Sequence, residues 1–188
     1  MRRASPTTVL RKKRWRLPPS GLECQVVWPH SERIRQIDDA WPKLRLKTDL
    51  SAQWRWNDIC KRAKEFFVVE SGNKENLGIW SSNNPTCEVE GQKFYVLSKL
   101  EVSPNHRTAG VGHLLVTMCA LRATELGCSG VLLAAGSELE HFYGAIGGVK
   151  RVVKNWIAPR ELDSWVFEGN GFHQLKEDND EFLLEEGQ

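Results

Sequence analysis

Val102-Ser103-Pro104-Asn105-His106-Arg107-Thr108-Ala109-Gly110-Val111-Gly112 joins one apolar run, KFYVLSKLEV (93–102), to another, GVGHLLVTMCALRATELG (110–127). The first is long enough for a central strand. The second reads as a helix, with Val111, Leu114, Leu115, Met118 and Arg122 on one side, Leu121 and Leu126 beside them, and Gly127 as the stop. Two glycines one residue apart permit unusual backbone angles and keep side chains out of the way. Amide N–H groups at the helix start then converge on an anion, helped by the positive end of the helix dipole. Arg107 adds a charged fork, and pyrophosphate is the natural guest. The pattern is neither GxxxxGK[ST] nor the three-glycine dinucleotide fingerprint. Taken alone, it is also what a plain glycine-bearing turn between strand and helix looks like.

On the N-terminal side, FFVVES (66–71) and LGIWSS (77–82) flank a polar turn at 72–76 and read as an antiparallel hairpin. LECQVVW (22–28) alternates enough for a first strand. Ser31 caps a helix running to Ala40, with Ile34, Ile37 and Trp41 at helical spacing and Pro42 breaking it. Asp49 or Ser51 caps the next helix, which carries Trp54, Ile59, Ala63 and Phe66. On the C-terminal side, SGVLLAA (129–135) reads as a buried strand, followed by a helix from Glu138 to Ile146 ending at Gly147-Gly148. VKRVVKNW (149–156) and SWVFEG (164–169) read as closing strands, and no internal repeat is visible. The expected order is β, α, α, β, β, β, α, β, α, β, β.

The 188 residues suit one ordinary domain, and 40% hydrophobic with 27% charged residues excludes a disordered chain, a collagen-like fibre or a disulfide scaffold. No apolar run reaches the roughly 18–20 residues that span a bilayer, and the start lacks the apolar stretch of a secretory signal. A soluble, cytoplasmic protein without membrane association is expected. Cys24, Cys60, Cys87, Cys119 and Cys128 form no CxxC pair, and the five histidines lack ligand spacing, so no metal is expected. Net charge is +2, unevenly spread. Residues 1–20 carry seven basic side chains and no acid, and 176–188 carry six acids against Lys176. The expected division is a flexible basic arm (1–21), a neutral domain (22–172) and an acidic tail (173–188). The arm reads as a solvated terminus, as an attractor for RNA or another acidic partner, or as a transit-peptide-like leader.

With the neighbouring residues included, the loop resembles a known family. Arg107-Thr108-Ala109-Gly110-Val111-Gly112 is similar to the (Q/R)xxGx(G/A) motif of the GNAT superfamily of acyl-CoA N-acetyltransferases. Leu100-Glu101-Val102-Ser103-Pro104 looks like its LxVxP approach, and His141-Phe142-Tyr143-Gly144-Ala145-Ile146-Gly147-Gly148 resembles its FYxxxGF segment. The resemblance spans roughly 22–172 and implies an α+β, α/β/α-layered fold. Its central sheet is mixed and mostly antiparallel, with about seven strands and helices on both faces. Two positions depart from the pattern: Gly136 stands where the family often has Asn, and Gly148 where it has Phe.

The resemblance implies acetyl-CoA as acyl donor. Strands 93–102 and 129–135 would splay apart around the pantetheine arm, with backbone groups near Leu100 and Val102 holding it. Amides of Arg107, Thr108, Ala109, Gly110, Val111 and Gly112 would hold the pyrophosphate. The acceptor amine attacks directly, so no acyl-enzyme is needed, and Cys119 is a packed helix residue. Tyr143 is the candidate general acid toward the departing thiolate, against a plain packing role. Glu101 is the obvious carboxylate base, a water chain being the alternative. Strand alternation sets Glu101 opposite Ser98, Leu100 and Val102, and a bulge would reverse that parity.

The acceptor that the resemblance leads one to expect is a small-molecule or peptide amine. The alternatives are aminoacyl-tRNA, approached through the basic arm, and a non-catalytic CoA-binding module. A homodimer is compatible with all three. Trp41, Trp54, Trp56, Trp156 and Trp165 fall where an acceptor pocket is expected, as core residues or as an aromatic pocket.

Overall fold

In the computed structural model, residues 10, 13–27, 30–41, 55–159 and 161–184 are described. The chain runs β1 (Arg14–Leu17), β2 (Leu22–Val27), α1 (Ser31–Ala40), α2 (Trp56–Arg62), β3 (Glu65–Ser71), β4 (Asn76–Ser82), β5 (Thr86–Val89), β6 (Gln92–Leu97) and β7 (Lys99–Val102). It continues as α3 (Val111–Glu125), β8 (Gly130–Ala135), α4 (Glu140–Ala145), β9 (Val149–Lys150), β10 (Asp163–Glu168) and α5 (Gly169–Phe182). Among the described residues the strands form two five-stranded sheets, β1-β2-β3-β4-β7 and β5-β6-β8-β10-β9. All pairings are antiparallel except β6–β8.

The single strand expected over 93–102 is divided at Ser98, and each half belongs to a different sheet. Ser98 donates its N–H to Ser81 O at 2.9 Å, and its hydroxyl accepts the Asn83 N–H at 2.9 Å. Tyr95 and Leu97 pack in the large core around α3, and so do Leu100 and Val102. The step between the two pairs is odd, so the break reverses the alternation of side chains.

The first sheet is covered on both faces. Phe66, Val68 and Ile79 pack against Ile34, Ile37, Trp41 and Trp56 of the α1–α2 layer. Phe67, Val69 and Trp80 face the core of α3. Every residue of β3 is accordingly buried, and its centre is the apolar run Phe66-Phe67-Val68-Val69. The charges inside are paired. Glu65 meets Arg122 and accepts the Tyr95 hydroxyl at 3.2 Å, and Glu70 lies 2.6 Å from Arg33.

Several expectations change. His30, rather than Ser31, caps α1, its Nδ1 accepting the Arg33 N–H at 3.3 Å. The expected start of the second helix at Asp49 or Ser51, with Trp54, lies outside the described residues. The visible α2 begins beyond Arg55 and is capped from α1, where Asp38 accepts the N–H groups of Trp56 and Asn57 at 2.7 and 2.9 Å. Only Val149–Lys150 of the strand expected over 149–156 is extended, because the chain turns at Asn155 (φ +63°). β5 was not anticipated.

Both charged ends contain ordered elements. In the expected arm, β1 alternates exposed Arg14 and Arg16 with buried Trp15 and Leu17, and both arginines pair with Glu23 on β2. In the expected tail, α5 buries Phe172, Leu175, Asn179 and Phe182, and its acids lie mainly on the outer side. Each apolar side chain so buried contributes about 1.5–3 kcal/mol, while most of the charged neighbours stay in contact with solvent. Arg2, Arg3, Arg11, Lys12, Glu185 and Glu186 lie outside the described residues.

Among the described residues, no helix is long and apolar enough to cross a membrane, and no group of three His, Cys, Asp or Glu side chains could hold a metal ion.

Candidate cofactor and active site

The two sheets part at one end. β6 pairs with β8 from Phe94↔Gly130 to Leu97↔Leu133 and no further. Beyond that point, among the described residues, β7 pairs only with β4, and Ala134 and Ala135 pair only with Ser164 and Asp163 of β10. The outward backbone edge of β7, around Leu100–Val102, and the inner edge of Ala134–Ala135 therefore have no strand opposite among the described residues. Two facing unpaired edges form a slot that an extended amide-bearing chain can fill.

The glycine loop lies at the mouth of this slot. Pro104–His106 forms a single tight turn, and Gly110 caps α3 with φ +86°, a left-handed conformation that glycine adopts without strain. The first intrahelical bond runs from Leu114 N–H to Gly110 O at 3.1 Å, which leaves the amides of Val111, Gly112 and His113 facing outward. A Cβ at Gly112 would stand 3.1 Å from the Phe142 ring and 3.7 Å from Val102. Gly112 thus lets the aromatic ring close on the loop from α4. Arg107 and Thr108 are exposed, Ala109 is half-buried, and Val111 is fully buried. The Arg107 guanidinium makes no ion pair among the described residues, so it is available to an anion. Unpaired strand edges, outward amides and a side-chain-free cradle together fit the pantetheine and pyrophosphate of acetyl-CoA.

Glu101 and Tyr143 stand on opposite sides of β7. Because of the Ser98 break, Glu101 pairs with Ile79 on the α1–α2 side, where the indole N–H of Trp56 donates to Oε2 at 2.5 Å. Tyr143 lies on the α3 side, only 4% exposed, with ring centroids 4.9 Å from Phe142 and 5.7 Å from Trp165. Its hydroxyl has no hydrogen-bond partner among the described residues. Burial, with a smaller contribution from Cys119, pushes its pKa up to about 12. Tyr95 is likewise raised well above 10.0 by burial. Cys119 is fully buried, and loss of solvent pushes its thiol well up, which disfavours the nucleophilic thiolate.

These shifts give a first expected result. Tyr95 and Tyr143 are the protein's two tyrosines, so an ultraviolet titration at pH 10 shows essentially no tyrosinate until the chain unfolds. The sign follows from the raised folded values: the protonated phenols stabilise the fold fully below pH 10, and that contribution is lost as pH climbs through the folded values. Half an equivalent of tyrosinate in folded protein at pH 10 would contradict this placement.

Both departures from the family pattern acquire a physical account. The Glu138 carboxylate occupies the space beside Gly136 that a larger residue would take. At Gly148 a Cβ would stand 2.9 Å from the Phe167 ring, so Phe167 supplies from β10 the aromatic missing there. The tryptophans do not converge. Trp41 and Trp56 belong to the α1–α2 layer, Trp165 to the α3 core and Trp156 to the outer face of the second sheet, while Trp54 lies outside the described residues. Trp56 acquires a role the sequence did not signal, as the donor to Glu101.

Comparison with known proteins bears on this geometry. The sequence profile of the acetyltransferase (GNAT) family matches residues 30–147. No curated protein matches the chain. Among solved structures, a GNAT-family acetyltransferase from Staphylococcus aureus Mu50 is 11% identical, with a TM-score of 0.58 over 76% of this chain and 97% of that one. A chimera of the Vibrio cholerae spermidine N-acetyltransferase SpeG with hSSAT is 15% identical, with a TM-score of 0.55 over 80% and 98%. AtaTR bound with acetyl-CoA is 15% identical, with a TM-score of 0.54 over 81% and 97%. At these identities the likeness is one of fold. It agrees with the expected α+β architecture, although β1, β5 and the division of 93–102 raise the strand number above the seven or so expected.

Proposed function

Because the chain belongs to the acetyltransferase (GNAT) family, we propose that it transfers the acetyl group of acetyl-CoA directly to a primary amine of a small molecule or peptide. The observation that carries this reading is the slot between β7 and the end of β8, opening onto the outward amides of α3. When bound, acetyl-CoA supplies an activated acetyl thioester. Backbone groups around Leu100 and Val102 hold the extended arm, and Arg107–Gly112 hold the pyrophosphate with the positive end of α3 behind them. Positioning of the two reactants then supplies much of the rate.

Proton handling falls to the two sides of β7. Glu101, fixed by Trp56, takes a proton from the amine approaching from the α1–α2 side, directly or through water. Tyr143, kept protonated by burial, returns a proton to the leaving sulfur from the α3 side. No acyl-enzyme forms, since Cys119 is buried and thiol-like.

The test is calorimetric titration with acetyl-CoA, followed by a thiol-release assay across small amines and peptides. Micromolar binding with release on one class supports the reading, and a well-folded protein that binds no acetyl-CoA refutes it. In the same assay Glu101→Gln lowers kcat about tenfold. That is less than the ~10²–10⁴ of a sole base, because water shares the proton. An unchanged kcat assigns the proton to water alone.

A further inference from the structure

The loop of 107–112 and His113, which follows it, are touched from outside the family-matched segment, the loop by the N-terminal end of the described chain and His113 by the C-terminal end. The turn between β1 and β2 rests on it: a Cβ at Gly110 would stand 3.6 Å from Pro18 O and 3.9 Å from the Leu17 side chain, and the Ser20 hydroxyl reaches Ala109 O at 3.4 Å. From the other side, α5 grips the first turn of α3. Asp178 Oδ2 lies 2.8 Å from His113 Nε2, and the His113 ring stands edge-on to Phe182 at 5.2 Å.

The two supports are joined to each other. The residue after Asp178, Asn179, accepts the indole N–H of Trp15 at 2.8 Å, and both side chains are buried, 1% and 0% exposed. The backbone adds a bond from Leu184 N–H to Arg14 O at 2.9 Å and a bridge between Trp15 and Leu183. Two consecutive residues of α5 thus hold the start of α3 and the strand that leads, three residues later, onto Gly110.

We infer that β1 and α5 form a brace for the anion-binding loop, with Trp15 and Asn179 as positioning residues for the CoA pyrophosphate. The inference rests on the proposed role of 107–112 and adds what holds that loop ready. Outward amides bind an anion tightly only if their directions are set beforehand, since ordering them during binding costs conformational entropy. A buried, directional hydrogen bond fixes the rotation of α5 against β1, which apolar packing alone leaves free. Among the described residues, no hydrogen bond or ring contact joins Trp15 or Asn179 to Glu101 or Tyr143, so their effect on CoA is expected through the loop.

The experiment compares wild type, Trp15→Phe, Asn179→Leu and the double variant. It uses calorimetric titration with CoA well below each melting temperature, and amide hydrogen exchange over 107–113 in the free protein. Each single change weakens CoA binding roughly fivefold and speeds exchange in the loop. The double variant is little worse than either single one, because the same bond is lost in all three. A residue with only a structural role lowers the melting temperature and leaves the affinity of the folded protein alone. Folded variants with wild-type affinity and exchange therefore overturn the brace. Trp15→Phe removes the donor and leaves a smaller aromatic ring in the buried site, so it decides the matter, through affinity and loop exchange rather than melting temperature, if Asn179→Leu does not fold. A wild type that binds no CoA overturns the role of the loop instead, and exchange over 107–113 then reports on the brace independently.

Discussion

Aspartate at both Gly110 and Gly112 weakens acetyl-CoA binding by about 100-fold or more, as read by calorimetry, while the chain stays folded. A carboxylate about 5 Å from a phosphate charge costs roughly 3 kcal/mol at an effective dielectric of 20. Since about 1.4 kcal/mol is tenfold in affinity, one such repulsion accounts for the loss, and the second adds to it. Sterics act in the same direction, because a side chain at Gly112 starts 3.1 Å from the Phe142 ring that closes on the loop. The fold is spared for identifiable reasons. Acidic residues suit a helix N-terminus, and aspartate is among the side chains that tolerate the left-handed conformation held by Gly110 at φ +86°. A folded double variant with unchanged affinity would remove the loop from the cofactor site.

Tyr143→Phe lowers kcat about 100-fold, at the lower end of what a positioned general acid contributes, and leaves CoA affinity near that of wild type. The change deletes one oxygen and keeps the ring that packs on Phe142, Trp165 and Phe167. That oxygen has no partner among the described residues, so its removal breaks no protein hydrogen bond and the melting temperature does not fall. Rate and stability therefore separate. A kcat within twofold of wild type assigns Tyr143 to packing alone, and a drop in melting temperature with no drop in rate says the same.

How far the sequence disclosed this protein differs from segment to segment. The loop was legible because its signal is local: a strand end, a proline, two glycines and an amphipathic helix lie within one short stretch. The hairpin of β3 and β4 was legible for the same reason. Charge hid both ends. In RWRL, the alternation of Trp15 and Leu17 is only two apolar residues deep among seven basic ones, and its burial depends on α5 arriving from the far end of the chain. In α5, Phe172, Leu175 and Phe182 keep helical spacing, yet the acids on the outer side dominate the composition. The tryptophans shared a residue type and a region of sequence, but layer membership is a tertiary property that spacing does not encode. The donation from Trp56 to Glu101 spans 45 residues and left no trace in either neighbourhood.

The break at Ser98 is a phase shift in the chain. KFYVLSKLEV reads as ten residues of one alternation, and nothing within it announces that a position is spent without advancing the pattern. Which side of the protein receives the Glu101 carboxylate is therefore decided by a count of residues rather than by their kind. Exchanging Ser98 for another residue leaves that parity intact. Removing it closes the pattern without moving Glu101, since Leu97, Leu100 and Val102 then share the α3 side by simple alternation. An unbroken strand of all ten residues would instead carry Glu101 to the side of Tyr143. The chemistry of this strand is written partly in its length.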